Sequence, residues 1–136
     1  MKQRKTLFIA LLSLMLLATS FCVYAAQQGQ VIASGSVFLE RASEASNKLT
    51  VEADTESHVD ADLSLIVYLD YKSSVNGSVS TVKTWNYSKD SDTLLAKSTS
   101  YTGADGYYRL RGYHTATLSG YGTETLSSET EWLEVK

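Results

Sequence analysis

The sequence predicts an all-β fold, a single antiparallel β-sandwich of about seven to eight strands, and three observations support this. Beyond residue 34, β-branched and aromatic residues gather in short runs, without the apolar spacing of an amphipathic helix. Within these runs, apolar and polar side chains alternate, as they do when one face of a strand is buried. Segments rich in Gly, Asn, Asp and Ser separate the runs and indicate turns.

The two clearest strands are predicted over 63–71 and 107–118. In the first, alternate residues form an apolar face: Leu63, Leu65, Val67 and Leu69. Apolar residues also stand on its other face, which indicates a central strand. In the second, one alternate set is predicted to face inward: Tyr108, Leu110, Gly112, His114 and Ala116. The other set is predicted to face solvent, with arginine stems lying over neighbouring rings: Tyr107, Arg109, Arg111 and Tyr113.

Shorter runs predict the rest of the sheet. Further strands are expected over 35–40, 48–53, 79–87 and 93–102, with one or two more between 124 and 135. Turns are expected at 75–78, 90–92, 103–106 and 120–122. In the first of these turns, Asn76-Gly77 readily supplies the positive φ angles of a tight hairpin.

A tyrosine at the start of the second clear strand favours an immunoglobulin-like or fibronectin-like sandwich over a barrel. Tyr108 stands two residues before the inward Leu110. Immunoglobulin-like domains carry a tyrosine corner at this distance from a core cysteine. Here a leucine takes the place of that cysteine.

The N-terminus has the layout of a secretory signal peptide. Positive charges at Lys2, Arg4 and Lys5 precede an apolar run at 7–17, and smaller residues follow up to a predicted cleavage after Ala25. The apolar run is shorter than the roughly 20 residues of a membrane-spanning helix. The expected location is therefore extracellular, by secretion. The chain divides into three predicted parts: a signal peptide at 1–25, a flexible arm at 26–34 and the β-sandwich domain at 35–136.

Removal of the signal would change the charge and chemistry of the exported chain. It takes away three positive charges, so the net charge falls from −3 to −6, and it takes away Cys22, the only cysteine. A mature chain without disulfides fits export from a Gram-positive bacterium. Nucleic-acid-binding proteins gather Lys and Arg in basic patches, and this chain does not. Neither nucleic acid nor, after signal removal, a membrane is expected as a partner.

Four segments carry a resemblance to a known family: 33–39, 63–69, 81–85 and 106–116. They resemble an uncharacterised family of small secreted proteins of clostridia-like Gram-positive bacteria, which contain a domain of unknown function. The similarity covers residues 33–120. It implies export and a β-domain, and it implies no activity and no site residues.

Residues suited to catalysis are scarce. No cysteine nucleophile survives signal removal, and only His58 and His114 could act as imidazole bases. A catalytic triad also needs an orienting third partner, and no motif supplies one. The sequence contains no phosphate-binding loop and no metalloprotease motif. We therefore expect no enzyme and no cofactor, and we interpret His114 as a buried histidine satisfied by one hydrogen bond.

An acidic segment at 52–62 is a candidate metal site. Acidic residues and a histidine occupy alternate positions: Glu52, Asp54, Glu56, His58, Asp60 and Asp62. If the segment is extended, they line one face, and carboxylates at this density suit Ca²⁺. The candidate ligands are Asp54, Glu56, Asp60 and Asp62. We favour the alternative of a solvated turn between strands, whose charges keep the protein soluble and bind no metal.

Aromatic residues offer a candidate ligand platform. Trp85, Tyr87, Tyr107 and Tyr113 could expose their rings on one surface. Exposed rings of this kind stack on the apolar faces of sugars. The alternative is that these are ordinary strand residues, with Trp85 in the core.

We therefore expect a secreted, non-enzymatic binding or surface-associated β-domain. Carbohydrate and another surface protein are the candidate partners. The alternative is a structural or matrix-type secreted protein that self-associates through sheet edges, and a hydrolase is the third hypothesis. Exposed aromatic residues beside a groove would favour binding, whereas a long uncovered edge strand would favour self-association.

Overall fold

The structure, a computed structural model, describes residues 31–136. The predicted signal peptide and residues 26–30 of the predicted arm lie outside the described residues. The described part contains six strands: β1 (Ile32–Arg41), β2 (Lys48–Lys72), β3 (Ser80–Thr102), β4 (Gly106–Leu118), β5 (Gly122–Glu129) and β6 (Leu133–Val135). No helix among residues 31–136 has the length and apolar character needed to cross a membrane.

All six strands belong to one antiparallel sheet, which curls into a half-barrel. β1, β2, β4 and β5 follow one another across the sheet, while β3 also pairs with β2 and β6 with β4. The prediction of an all-β antiparallel fold is confirmed. The strands are fewer than predicted because two pairs of predicted strands are continuous: 48–53 with 63–71 in β2, and 79–87 with 93–102 in β3.

β2 is long enough to pair with β1 along its first half and with β4 along its second half. Its first half, up to Ser57, pairs with β1, and its second half, from Asp62, pairs with β4. β3 accompanies β2 along its length. The pairing of these two strands is irregular between Glu56 and Leu63, and bulges of this kind bend a strand and increase its twist. The inner faces of the two halves therefore enclose one core.

The predicted turn at 90–92 belongs to this bend and does not reverse the chain. Ser91 has a φ of 49°, which is uncommon for a residue other than glycine. Asp92 accepts hydrogen bonds from the N–H groups of Thr93 and Leu94 at 2.7 and 3.0 Å. Asp and Ser side chains promote irregular backbone of several kinds, and here the result is a bulge inside β3. The turn prediction is therefore wrong at this segment.

The favoured prediction of a turn at 52–62 is also wrong, because this segment is extended within β2. Odd-numbered positions of β2 face inward and even-numbered positions face outward on both sides of the bend, although Val59 at the bulge is exposed. Small inward residues allow the strand to continue through the bend: Ala53, Thr55, Ser57 and Ala61.

The core lies on the inner face of the curled sheet. Both predicted inward faces, of 63–71 and of 107–118, are confirmed. The large residues at the centre of the core are almost completely buried: Leu49, Leu63, Leu65, Val67, Leu69, Leu95, Tyr108, Leu110 and Val135.

Tyr108 forms the corner that precedes β4. Its hydroxyl donates a hydrogen bond to the carbonyl of Ala104, four residues upstream, at 2.8 Å. The ring centroids of Tyr71 and Tyr101 lie 5.0 and 6.1 Å from that of Tyr108 in tilted geometry, which is favourable for aromatic pairs. The hydrogen bond and the two aromatic contacts of Tyr108 anchor the turn at 103–106.

The hairpin between β2 and β3 is predicted correctly, but its turn is not. The connection comprises residues 73–79, longer than a two-residue turn. Gly77 donates its N–H to the carbonyl of Ser74 at 3.0 Å, and it does so without a positive φ.

β1 begins earlier than predicted. Residues 32–34, assigned to the flexible arm, belong to the strand. The N–H groups of Val31 and Ile32 both donate to Oε2 of Glu124, at 2.7 and 3.0 Å, and both side chains are buried. A single carboxylate thus satisfies two donors that burial would otherwise leave unpaired. The ordered domain consequently includes residues that the sequence analysis placed in the arm.

We expect Leu65→Ala and Leu110→Ala each to lower the free energy of unfolding by roughly 2–5 kcal/mol, the range for truncating a large buried side chain. Leu65 and Leu110 are fully buried on β2 and β4, whereas Leu94 is 46 % exposed. Leu94→Ala is therefore the control and should cost much less. Denaturant titration followed by circular dichroism measures all three values. Equal losses for the buried and exposed positions would show that the inner face is wrongly assigned.

Candidate functional site

Asp70 is the buried centre of a charged cluster on the outer face of the sheet. It is 1 % exposed, although its position on β2 faces away from the core. In the strand register it lies between Arg109 of β4 and Thr81 of β3. Four residues form what we call the Asp70 cluster: Asp70, Thr81, Arg109 and Arg111.

Two arginines and a threonine hold the Asp70 carboxylate. Arg111 donates from Nε to Oδ2 at 2.7 Å and from Nη2 to Oδ1 at 3.0 Å, a bidentate geometry that is strong and directional. Arg109 donates from Nη2 to Oδ2 at 3.3 Å. Thr81 donates from Oγ1 to Oδ1 at 2.9 Å. Both carboxylate oxygens are therefore satisfied despite their burial.

These contacts keep the cluster ionised. Burial by itself raises the pKa of Asp70, but the hydrogen bonds from Arg111, Thr81 and Arg109 outweigh burial and lower that pKa below its ordinary 3.8. The hydrogen bond to Asp70 in turn raises the pKa of Arg111 above its ordinary value. At neutral pH the carboxylate is negative and the guanidinium groups are positive.

Aromatic rings support the two arginines from the side. The guanidinium carbon of Arg111 lies 5.1 Å from the ring centroid of Tyr68, and that of Arg109 lies 4.7 Å from the ring of Trp132. Both distances fall within the range of cation–π interactions. The sequence analysis expected arginine stems over neighbouring rings, and the structure places the guanidinium groups of both arginines there. Arg111 is therefore fixed both by its carboxylate partner and by the ring beneath it.

A groove opens beside Arg111 on the same outer face. Its volume is about 570 Å³, which falls within the usual range for small-molecule sites. Tyr113 is 43 % exposed in it. We call it the Tyr113 groove, and these residues line it: Ile66, Tyr68, Arg111, Gly112, Tyr113, Ser127, Ser128 and Glu129.

The structure divides the predicted aromatic platform between two faces. Tyr107 and Tyr113 lie on the outer face of β4. Trp85 and Tyr87 pair with Val67 and Leu65, whose side chains point inward. Both rings are half-buried against the core. The four rings therefore do not form one surface, because alternation along each strand fixes the face of every side chain.

Sequence reasoning missed several groove residues for different reasons. The sequence analysis placed Arg111 and Tyr113 on one face by alternation, but it named only Tyr113 as a candidate ligand residue. Tyr68 was recognised only as part of the second face of a central strand. Ser127 and Glu129 lie beside Tyr113 and Arg111 through the register of β4 with β5, which no local sequence pattern specifies.

His114 is completely buried and hydrogen-bonded at both ring nitrogens. Nδ1 lies 2.9 Å from Oγ1 of Thr55, and Nε2 lies 2.7 Å from Oγ of Ser128. The sequence analysis expected one such bond. A Cβ atom at Gly112 would lie 2.6 Å from Nε2, and one at Gly35 would also clash with the ring. Glycines at both positions therefore make room for the imidazole.

Burial lowers the pKa of His114 below its ordinary 6.5, and the negative charge of Asp54 only partly opposes this effect. The imidazole is therefore neutral at pH 7. Within residues 31–136 its side-chain hydrogen-bonding partners are two hydroxyl groups, those of Thr55 and Ser128.

The structure does not bring the candidate Ca²⁺ ligands together. Asp54 and Glu56 accept hydrogen bonds from the hydroxyls of Ser36 and Ser34 on β1. Asp62 lies beyond the bend and accepts the N–H of Ser91 at 3.1 Å, while Asp60 is exposed at the bulge. In the part of the chain that the structure describes, no three His, Cys, Asp or Glu side chains are grouped as metal ligands are.

No family model matches the chain, and no curated protein matches it significantly. The Tyr113 groove and the Asp70 cluster are therefore the observations from which a function can be argued.

We expect Asp70→Asn to lower the free energy of unfolding by roughly 1.5–3 kcal/mol, the range for hydrogen bonds to charged groups. Because folding lowers the pKa of Asp70, its stabilisation is complete above the unfolded value and disappears as the pH falls through the folded value. Asp90→Asn removes an exposed carboxylate and is the matched control. Denaturant titrations at pH 7 and pH 3 measure the effect. A loss that is equally large at both pH values would contradict the role of the carboxylate charge.

A second pH dependence should come from His114. Its folded pKa lies below the unfolded value of 6.5, so acid first protonates the unfolded chain and favours unfolding. We expect the free energy of unfolding to fall between pH 7.5 and pH 5.5, and His114→Gln to reduce this slope whatever its effect on stability itself. His58→Gln, at an exposed position, should keep the slope. A flat wild-type profile would count against the burial argument.

Proposed function

We propose that this chain is an exported, non-enzymatic binding domain and that the Tyr113 groove is its ligand surface. One observation carries the proposal: a guanidinium held rigidly by the Asp70 cluster lies beside an exposed tyrosine ring in a groove of small-molecule size. Binding sites combine a few fixed polar groups with apolar and aromatic walls, and this groove has both.

The rigidity of Arg111 makes the groove suited to binding. A free arginine loses side-chain entropy when a ligand orders it, and this loss weakens binding. Arg111 is already ordered by its contacts with Asp70 and Tyr68. Nη1 of Arg111 bonds to no other residue of the described chain. A ligand that accepts a hydrogen bond from Nη1 therefore avoids much of that entropy loss.

We also propose that the chain has no enzymatic role. The buried His114 is surrounded by Thr55, Ser128 and the backbones of two glycines. An imidazole that acts as a general base must come within hydrogen-bond reach of a substrate proton. The packing leaves the ring inside the core, which supports a structural role for it.

Self-association through a sheet edge is the second candidate. In the described chain, β3 pairs only with β2, so its other edge is uncovered. The register with β2 places three lysines on the inner face of β3: Lys83, Lys89 and Lys97. The bulge at Ser91 also bends β3. Inward lysines and bulges are the features that keep sheet edges from pairing. They favour the binding domain over the self-associating protein.

The proposal also includes export from the cell and a relationship to immunoglobulin-like sandwiches. Export and an extracellular location rest on the pattern of residues 1–25, and the resemblance to secreted clostridial proteins agrees with them. Kinship with immunoglobulin-like sandwiches is supported by the tyrosine corner at Tyr108 and by the way the two halves of β2 enclose one core.

The test is retention on purified Gram-positive cell walls, which present both glycans and surface proteins. We expect the wild-type domain to co-sediment with them. Tyr113→Ala removes the exposed ring and should weaken retention about tenfold or more, equivalent to roughly 1.4 kcal/mol.

Tyr121→Ala is the matched control, because Tyr121 is 65 % exposed in the turn between β4 and β5 and does not line the groove. It should leave retention unchanged. Equal retention of the Tyr113 and Tyr121 variants, or no retention of the wild type, would overturn the proposal.

A further inference from the structure

We infer that the Tyr113 groove binds a neutral carbohydrate, in which one sugar ring lies on Tyr113 and its hydroxyls bond to Arg111 and Glu129. This inference rests on the proposed binding function and adds the chemical class of the ligand. Charge balance, hydrogen-bonding capacity and the shape of the groove each support it.

The charges around the groove cancel. Two arginines, Arg109 and Arg111, are matched by two carboxylates, Asp70 and Glu129, and Arg109 also approaches Glu129 at 3.5 Å. The chain as a whole is acidic. An anionic polymer would therefore meet no excess positive charge at the groove and would be repelled at longer range. A neutral ligand escapes this penalty.

The groove offers both donors and acceptors. Arg111 uses Nε and Nη2 for Asp70, and within the described chain Nη1 has no hydrogen-bond partner. The Glu129 carboxylate is 63 % exposed, and the Ser127 hydroxyl can donate or accept. A sugar hydroxyl also donates and accepts, so it can satisfy every one of these groups. A phosphate or carboxylate only accepts, and it would leave Glu129 facing a like charge.

The wall between these polar groups is apolar and aromatic. Tyr113 exposes its ring, and Ile66 lies half-buried opposite it in the strand register. The C–H face of a pyranose is flat and apolar, and it can cover such a ring while its equatorial hydroxyls reach the polar groups at the rim. Tyr113 would thus provide apolar contact, and Arg111 and Glu129 would set the orientation of the sugar.

The experiment is affinity electrophoresis in native gels that contain single polysaccharides. The neutral set comprises glucan, mannan, galactan and glycol chitin, and the acidic set comprises polygalacturonate, hyaluronan and wall teichoic acid. We expect at least one neutral polymer, and no acidic one, to retard the wild type. Tyr113→Ala should weaken that binding about tenfold or more, and Glu129→Gln about threefold to tenfold, while the controls Tyr121→Ala and Glu131→Gln leave it unchanged.

The outcomes separate this inference from the proposed function. Retardation by acidic polymers alone, lost in Tyr113→Ala, would overturn the neutral class and leave the groove as the binding surface. Retention on cell walls that depends on Tyr113, without retardation by any polysaccharide, would overturn the carbohydrate ligand but leave the groove as the binding surface. Retardation that is insensitive to Tyr113→Ala, together with unchanged retention on cell walls, would overturn both.

Discussion

The structure depends on the alternation of side chains along β2, which keeps the same phase on both sides of the bend although Val59 at the bulge is exposed. Odd-numbered positions face the core on both sides of the bend, from Leu49 to Leu69, and even-numbered positions face outward. A shift of one residue at the bulge would have exchanged the two faces of one half. Because the irregularity between Glu56 and Leu63 preserves the alternation, a single strand can supply the core of both halves and also carry Asp70 on the outer face.

Asp70 links the fold to the candidate site. A carboxylate on the outer face would ordinarily be solvated, but the neighbouring strand β4 places two arginines against it and removes it from water. Such a pair contributes little net stability unless its hydrogen bonds are complete. Here both carboxylate oxygens are satisfied, whereas within residues 31–136 the buried Nε of Arg109 has no hydrogen-bond partner. The main result is that the guanidinium of Arg111 has a fixed orientation. It is held against the ring of Tyr68 by Nε and Nη2, and Nη1 does not bond to Asp70. The orientation of Arg111 in the groove thus depends on its ion pair with Asp70, and the other lining residues depend on strand register.

The sequence allowed the all-β antiparallel character, both principal strands and their inward faces to be predicted, because each depends on local alternation or spacing. The predicted immunoglobulin-like sandwich is not confirmed, since the described strands form one curled sheet. The continuity of β2 and β3 was missed, since Asp and Ser at 90–92 promote a bulge as readily as a reversal. The platform prediction selected four residues because they are aromatic, without knowing which face of the sheet each one occupies. The register of β3 with β2 places Trp85 and Tyr87 on the inner face. The contribution of Glu129 to the groove depends on pairing between β4 and β5, which is a non-local property.

The contact between Glu124 and the start of β1 has a consequence for the order of folding. The carboxylate that holds the N–H groups of Val31 and Ile32 belongs to a residue 93 positions further along the chain than Val31. The first strand therefore cannot fix its end until the fifth has emerged. Closure of so long a loop is slow compared with hairpin formation, so the β2–β3 ribbon can form well before the domain closes. The contact between the start of β1 and Glu124 of β5 is then expected to form late.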